Sequence, residues 1–161
     1  MRNESAPSSL GTAARRHFDL AWRVADAHRG IDDASLTAFV SGSTVEDLVD
    51  HLSDVDMSIV FARLPGEAAL REACRRAAWA AGDGVWTWSM GALDDRSDNA
   101  EGGVVAFRLD GIEVQIGYTT TAALDNDLDE LLVRHNPDSP NHKLAEGIAK
   151  ALPLAGADRL A

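Results

Sequence analysis

The fold of this 161-residue chain is decided by residues 40–61, which read VSGSTVEDLVDHLSDVDMSIVF. The pattern predicts a strand that ends at Gly42-Ser43, a short helix over Thr44–His51, and a second strand that carries two aspartates. Side chains alternate along a strand, so Asp54 and Asp56 should point to one face, about 6–7 Å apart, while the apolar residues between and after them point to the other. The spacing therefore predicts a carboxylate pair on the polar face of a buried strand.

Two neighbouring carboxylates repel each other unless a cation lies between them. Mg²⁺ prefers oxygen ligands and often binds together with phosphates. Gly42-Ser43 can supply a phosphate site, because glycine lets the backbone approach a ligand and the N–H groups at a helix start attract anions. The structural alternative is that Asp54 and Asp56 form a solvated strand edge and that Gly42-Ser43 is a turn with an N-cap.

The order of these features resembles the signature of the DNA polymerase beta-like nucleotidyltransferase superfamily, as in small bacterial nucleotidyltransferase-domain proteins. Its elements are a hydrophobic strand, Gly42-Ser43, a helix, and Ser53-Asp54-Val55-Asp56 at the start of an apolar strand. The resemblance covers roughly residues 36–118. It implies an α/β fold of the α+β type, a small mixed, twisted sheet with helices mainly on one face.

The resemblance also implies the roles of individual residues. Asp54 and Asp56 would hold Mg²⁺ or Mn²⁺, and Gly42, Ser43 and Ser53 would bind a nucleoside triphosphate, with ATP as the expected nucleotide. By analogy with the family, Lys143 and His142 in the last predicted helix are the cations best placed to reach the triphosphate. The alternative for both is ordinary surface placement.

Two positions depart from the family pattern. Members often have Arg-Gly a few residues after Gly-Ser, whereas Glu46-Asp47 stand here. The third carboxylate usually follows Gly-x-x-Val-Asp, and the matching residue here is Gln115, which carries no charge and cannot accept a proton. Glu113 shares the face of Gln115 about 7 Å along the strand, so it is the candidate third catalytic carboxylate.

Three functions follow as hypotheses. The first is Mg²⁺-dependent transfer of a nucleoside monophosphate from an NTP to a hydroxyl of a small molecule or protein, with two metals stabilising the attacking and leaving oxygens. The second is a catalytically impaired module of the same fold that binds a nucleotide or a partner. The third is a protein-interaction domain in which Asp54 and Asp56 are ordinary surface residues.

Composition limits the class of protein and its partners. The apolar fraction of 45% and the four tryptophans indicate a globular fold. The formal net charge is −11 and no run is rich in Lys or Arg, so a nucleic-acid partner is unlikely, and a cationic small molecule or a basic protein surface fits better. Cys74 is the only cysteine, which excludes an intrachain disulfide and indicates a packing residue.

The predicted organisation is a disordered tail over 1–10 and a single domain over 11–161. No apolar run reaches membrane-spanning length and no signal core is present, so we expect a cytoplasmic protein. Larger family members continue into a helical acceptor domain where this chain ends, so we expect either that a partner or a homodimer mate completes the site or that the acceptor lies open. The other predicted helices cover 12–28, which Gly30 stops, 66–81, and, in the C-terminal region from about 121, 121–135 and 140–152. The remaining predicted elements are a strand over 85–90, a loop over 94–103, and a hairpin of 104–109 and 112–118 around Asp110-Gly111.

Overall fold

The computed structural model describes residues 6–80, 89–91, 102–135 and 142–156. In chain order the elements are α1 (Thr12–Asp32), β1 (Thr37–Val40), a 3₁₀ helix (Gly42–Thr44), β2 (Val55–Phe61), α2 (Glu67–Ala80), β3 (Ser89–Gly91), β4 (Gly102–Leu109), β5 (Ile112–Thr120), α3 (Thr121–Leu132), α4 (His142–Lys150) and β6 (Leu152–Ala155). None of the described helices is both long and apolar enough to span a membrane.

The described strands form one sheet in the order β3-β4-β5-β2-β1-β6. β2 and β5 run parallel, whereas the other described neighbours pair antiparallel. A parallel pair needs a long crossover, and the chain between β2 and β5 contains α2, β3 and β4. The mixed sheet with its helices confirms the predicted α/β fold class.

The main core lies between the sheet and the two longest helices. Buried residues of α1 and α2, such as Phe18 and Leu70, pack with Val55, Ile59 and Ile116 of the central strands. A smaller cluster on the opposite face joins β1 and β2 to α3, and its buried members are Phe39, Val60 and Leu124. Because side chains alternate, the polar residues of β2 also lie on this second face, away from α1 and α2.

The predicted hairpin is confirmed. β4 and β5 pair antiparallel from Leu109 and Ile112 outward, and Asp110-Gly111 connects them. The φ angles of these two connecting residues are 50° and 76°. A two-residue hairpin turn with both φ values positive favours Asp-Gly, which explains why the sequence located this element correctly.

The predicted helix over Thr44–His51 is wrong. The chain makes only the short 3₁₀ helix and then a series of turns, with Asp47 at a φ of 55°. The Asp50 carboxylate accepts a hydrogen bond from the backbone N–H of Leu52 at 2.9 Å, between its Oδ1 and the amide nitrogen. Such local side-chain bonds compete with helical backbone bonds, so this acidic segment folds as turns.

The first helix extends beyond the predicted stop at Gly30. α1 continues to Asp32, and Ile31 packs against the main core. A Cβ atom on Gly30 would lie 2.7 Å from Nη1 of Arg76 on α2. Gly30 therefore lies inside the first helix beside the Arg76 side chain and does not end the helix.

The C-terminal region differs from the predicted helix over 140–152. α4 ends at Lys150, and β6 then pairs antiparallel with β1, with Pro153 opposite Phe39. β6 lies at the edge of the sheet, where a proline without a backbone N–H is tolerated. Pairing between residues so distant in sequence leaves no local pattern, so the strand was not predicted.

Several sequence predictions fall wholly or largely outside the described residues. They concern residues 1–5 of the tail, the two tryptophans of the predicted strand over 85–90, most of the predicted loop over 94–103, and residues 157–161. Of the tail, Leu10 is described and is buried in the main core.

A buried polar chain links α1, α2 and β5. His28 Nδ1 lies 2.7 Å from the Val24 carbonyl oxygen and therefore donates to it, so His28 Nε2 accepts from the Tyr118 hydroxyl at 2.8 Å. Because that hydroxyl donates to His28, the Cys74 thiol at 3.5 Å donates to the Tyr118 oxygen. Burial raises the pKa of the Cys74 thiol to about 12 and lowers the pKa of His28 to about 4. The predicted packing role of Cys74 is confirmed, since the residue is fully buried.

His28 should make the protein sensitive to acid. Its pKa is near 6.5 in the unfolded chain and about 4 in the folded one, so the unfolded state binds more protons between these values. The free energy of unfolding should therefore fall as the pH drops from about 6.5 towards 4. Denaturant titrations across this range should show a shallower pH slope for His28→Gln than for the wild type. His51→Gln is the control, because His51 is exposed, and its pH slope should equal that of the wild type. If His28→Gln also has the wild-type slope, His28 is not the source of the acid sensitivity.

Candidate functional site

The parallel pairing of β2 and β5 brings the predicted acidic residues together. Asp56 lies directly opposite Gln115 in the strand register. Both side chains are partly buried between neighbours that point into the main core. Asp54 precedes β2 by one residue and Glu113 precedes Gln115 by two, so all four side chains lie on the face that α1 and α2 leave free. The sequence predicted that Asp54 and Asp56 share a strand face and that Glu113 and Gln115 share one, but it did not predict that these two strands are neighbours.

Gln115 connects two of the carboxylates. Its Nε2 donates to Oδ2 of Asp54 at 2.8 Å and to Oε1 of Glu113 at 3.2 Å. The residue at the position of the expected third acid is thus a neutral donor that lies between two acids. Gln115 therefore contacts Asp54 directly, and Glu113 lies on the other side of the Gln115 amide.

Asp56 is the acid of this group whose charge is least compensated. Partial burial raises its pKa, and the nearby charge of Asp54 raises it further. A cation at this place would oppose both effects, because it favours the ionised form. Asp56 is therefore a carboxylate whose ionised form a nearby cation would stabilise.

The donor set fits Mg²⁺ only if the substrate contributes ligands. Among the residues that the structure describes, no group of three His, Cys, Asp or Glu side chains is arranged to hold a metal ion. Mg²⁺ is commonly held by one or two carboxylates, with water and substrate phosphates completing its oxygen shell. Asp54 and Asp56 match that arrangement, so the residues present fit a metal that binds together with a nucleotide.

Gly42 lies against the carboxylate of Asp56. Its φ is 66°, and a Cβ atom built there would be 2.7 Å from Oδ2 of Asp56. The backbone N–H of Ser41 also donates to the Asp56 carbonyl oxygen at 3.0 Å. Glycine is thus required both by the backbone conformation and by the close approach, and the Gly42-Ser43 turn is fixed beside the aspartate. Because no α-helix follows, any phosphate contact must come from the turn itself.

A cavity of about 400 Å³ opens in front of this turn. Gly42, Ser43 and Asp56 line one side, and Glu146 and Lys150 of α4 line the other. Such a volume is in the range of small-molecule sites. The structure therefore joins the predicted phosphate turn and one predicted metal ligand in a single cavity.

Lys150 is the cation of this cavity, and sequence reasoning missed it. Its Nζ lies 2.8 Å from Oε1 of Glu46 and 2.9 Å from Oε1 of Glu146. The bonds to these glutamates raise the pKa of Lys150. Glu46, one of the two residues at the position where Arg-Gly was expected, thus pairs with a lysine from the far end of the chain. No local sequence signal reports such a pair.

Two predicted nucleotide-binding residues lie elsewhere or cannot be placed. The Ser53 hydroxyl donates to Oδ1 of Asp50 at 2.9 Å, so it stabilises the turn before β2. The backbone of Lys143 is in α4, but its side chain and that of His142 lie outside the described residues. Their roles stay predictions.

A second, larger cavity of about 910 Å³ borders the acidic group at Glu113 and Ser53. Its walls come from the start of α1, the turns before β2, and the β4–β5 turn. His17 of α1 is in this wall and only 4% exposed, and burial lowers its pKa. A hydrogen bond from the imidazole to the Asp54 backbone acts in the opposite direction on that pKa. The acidic group therefore has a cavity on either side.

No protein-family profile and no curated protein matches this sequence. Solved structures that match part of this chain include terminal uridylyl transferase 4 from Trypanosoma brucei with bound GTP, at 21% identity and a TM-score of 0.41, covering 64% of this chain and 30% of that one. Cid1 in complex with a UTP analogue matches at 14% identity and a TM-score of 0.45, covering 88% and 40%. A structure of mtPAP with GTP matches at 17% identity and a TM-score of 0.34, covering 79% and 33%. The chain thus spans well under half the length of these three proteins.

Proposed function

We propose that this protein binds a nucleoside triphosphate together with Mg²⁺ and transfers a nucleoside monophosphate to a hydroxyl group. The observation that carries the proposal is the position of Asp56. It lies against Gly42 at the edge of one cavity and opposite Gln115, which contacts the other two acids. A phosphate turn, a metal-type carboxylate pair and a further acid therefore occur within one continuous face.

The nucleotide would be held by groups on both sides of the smaller cavity. The Gly42-Ser43 turn offers backbone N–H groups and a hydroxyl to the β- and γ-phosphates, and Lys150 offers a positive charge from the opposite wall. Asp54 and Asp56 would hold the metal. When bound, the metal neutralises phosphate charge and stabilises the leaving oxygen.

Glu113 is the group that this chain offers as the proton acceptor. In the transfer, the hydroxyl oxygen forms a bond to the α-phosphorus, the bond from that phosphorus to the α–β bridging oxygen breaks, and pyrophosphate leaves. The hydroxyl proton passes to the Glu113 carboxylate, which the Gln115 amide holds at 3.2 Å. Gln115 therefore acts as a positioning residue for Glu113 and Asp54.

Gln115 also supports a second candidate function. An amide donor at the position of the expected third acid satisfies two carboxylates without a metal, and it cannot accept a proton. A protein with this arrangement can bind Mg²⁺ and a nucleotide and yet not turn it over. The second candidate is therefore a nucleotide-binding module of the same fold.

Pyrophosphate release separates the two functions. The protein is incubated with Mg²⁺, each of the four NTPs and a panel of small alcohols, and pyrophosphate is measured. Transfer predicts release that requires Mg²⁺ and an acceptor, and that Glu113→Gln abolishes. Nucleotide binding without release under any of these conditions would favour the binding module. ATP as the nucleotide, a cytoplasmic location and a homodimer stay predictions from the sequence.

Lys150→Met should weaken nucleotide binding about tenfold, because one charge-assisted contact to phosphate is lost. The substitution keeps a long apolar stem and removes only the charge. Lys150 bonds to Glu46 and Glu146 in the free protein, so Glu46→Gln should have the opposite effect and strengthen binding by releasing the lysine. Calorimetric titration with a non-hydrolysable ATP analogue measures both. Unchanged affinity in Lys150→Met would remove this residue from the site.

A further inference from the structure

We propose that the larger cavity is the acceptor site and that it takes a small phosphorylated alcohol. This inference rests on the proposed transfer function, because it names the class of molecule that receives the nucleotide. The acidic composition of the whole chain predicted a cationic acceptor instead. The side chains around this cavity indicate an anionic one.

The cavity adjoins the group that would accept the proton. Glu113 is in its wall, and Gln115 ties that carboxylate to Asp54 through the shared amide nitrogen. Ser53, which directly precedes Asp54 in the chain, is in the wall as well. A hydroxyl of a molecule in this cavity can therefore reach Glu113. It would approach the acidic group from the side opposite to the Gly42-Ser43 turn.

The carboxylates around the cavity already have partners. Oδ2 of Asp110 lies 3.3 Å from a guanidinium nitrogen of Arg23. Asp50 accepts from the backbone of Leu52 and from Ser53, and Glu113 accepts from Gln115. The charge of Asp110 is thus opposed by Arg23, whereas the neutral donors on Asp50 and Glu113 occupy lone pairs that a ligand would otherwise contact.

Two arginines beside the cavity, Arg16 and Arg108, have N–H groups that can donate to a ligand. Arg108 is exposed and forms no ion pair with any residue that the structure describes, although Glu113 lies opposite it in the β4–β5 register. Arg16 donates from Nη2 to the Asp110 backbone carbonyl at 3.2 Å, which leaves its charge without a carboxylate. A guanidinium presents several N–H donors in a planar fork that matches phosphate geometry. The two arginines therefore favour a phosphate group.

A small ligand fits better than a polymer. A volume of about 910 Å³ is that of a metabolite-sized site, and the formal net charge of −11 opposes a nucleic acid that would extend over the surrounding surface. A single phosphate needs only the local arginines. The ligand class is therefore a phosphate monoester that carries a free hydroxyl for transfer.

Amide chemical shifts in a ¹⁵N-labelled sample test the proposal directly. The probes are inorganic phosphate and glycerol 3-phosphate, each titrated with and without a saturating non-hydrolysable ATP analogue and Mg²⁺. We expect both probes to shift the amides of Arg16, Arg108 and Gly111 under both conditions. Arg108→Glu should weaken the binding of both probes about tenfold, because one charge-assisted contact is lost. The exposed control Arg63→Glu should leave the affinity unchanged.

Three results would overturn the proposal. The first is a shift confined to Gly42 and Ser43 that the ATP analogue abolishes, because phosphate would then bind only in the smaller cavity. The second is equal weakening by Arg108→Glu and Arg63→Glu, which would show a general charge effect. The third is tighter binding of a short oligonucleotide than of glycerol 3-phosphate. Failure of the ATP analogue to bind, with phosphate still shifting Arg108, would instead contradict the proposed function and leave the anion site standing.

Discussion

Asp56→Asn should weaken binding of a nucleoside triphosphate in the presence of Mg²⁺ by about 100-fold, the loss expected when a metal ligand or its close support is removed. The substitution keeps the size of the side chain and its place against Gly42, so the turn should stay intact. It removes the charge that burial and Asp54 make costly in the free protein. Calorimetry with a non-hydrolysable ATP analogue measures the effect.

Asp19→Asn is the matched control, because it removes the same charge from the exposed surface of α1. It should bind the analogue as the wild type does. Equal affinity in Asp56→Asn and Asp19→Asn would show that Asp56 takes no part in binding.

The same substitution should stabilise the metal-free protein at neutral pH. The pKa of Asp56 is raised on folding, so the folded state binds the proton more tightly and ionisation costs stability as the pH rises through and above the unfolded value of 3.8. Asparagine carries no such cost. Without Mg²⁺, denaturant titrations at pH 7 should give Asp56→Asn a higher free energy of unfolding than the wild type, and this advantage should shrink below pH 4. A loss of stability at pH 7 would contradict the electrostatic account.

Gln115→Asp should make stability depend strongly on Mg²⁺. The amide that donates to Asp54 and Glu113 would be replaced by a fourth negative charge in the same group. Without metal, repulsion should lower the melting temperature by several degrees, the shift that about 1 kcal/mol causes in a domain of this size. With Mg²⁺, the new carboxylate becomes a ligand and the loss should be recovered.

Gln115→Asn separates charge from shape in that experiment. It has the same size as aspartate but no charge, so it should show little response to Mg²⁺. If both variants respond alike, the metal does not bind beside residue 115. If the enzyme hypothesis holds, Gln115→Asp should also raise pyrophosphate release about tenfold or more, because a charged acid replaces a neutral amide. Binding without release in Gln115→Asp as well would favour the binding module.

The predictable parts of the site were those with a local pattern. Alternation of apolar and acidic residues located Asp54 and Asp56 on one face, and Asp110-Gly111 located the hairpin that carries Glu113 and Gln115. The face of each strand on which the acids lie then followed, since a shift by one residue would have buried them, whereas the pairing of β2 with β5 was not predicted. These elements confirm that side-chain periodicity carries most of the information about the central strands.

The unpredicted parts depend on contacts between distant residues or on competing local bonds. Lys150 reaches Glu46 over 104 residues of chain, and the β6 edge strand is defined by its pairing with β1. The expected helix after Gly42-Ser43 does not form, and a backbone N–H within it is bonded to a side chain instead, since Asp50 N–H donates to the Ser53 hydroxyl at 3.0 Å. Helix propensity alone could not rank these bonds against helical ones.

Calorimetric titration with a non-hydrolysable ATP analogue, with and without Mg²⁺, tests the central proposal most directly. The proposal predicts one nucleotide bound per chain with Mg²⁺, affinity at least tenfold weaker in EDTA, and affinity about 100-fold weaker for Asp56→Asn. Absence of binding by the wild-type protein at millimolar analogue and Mg²⁺, or binding indifferent to both Mg²⁺ and Asp56, would contradict it.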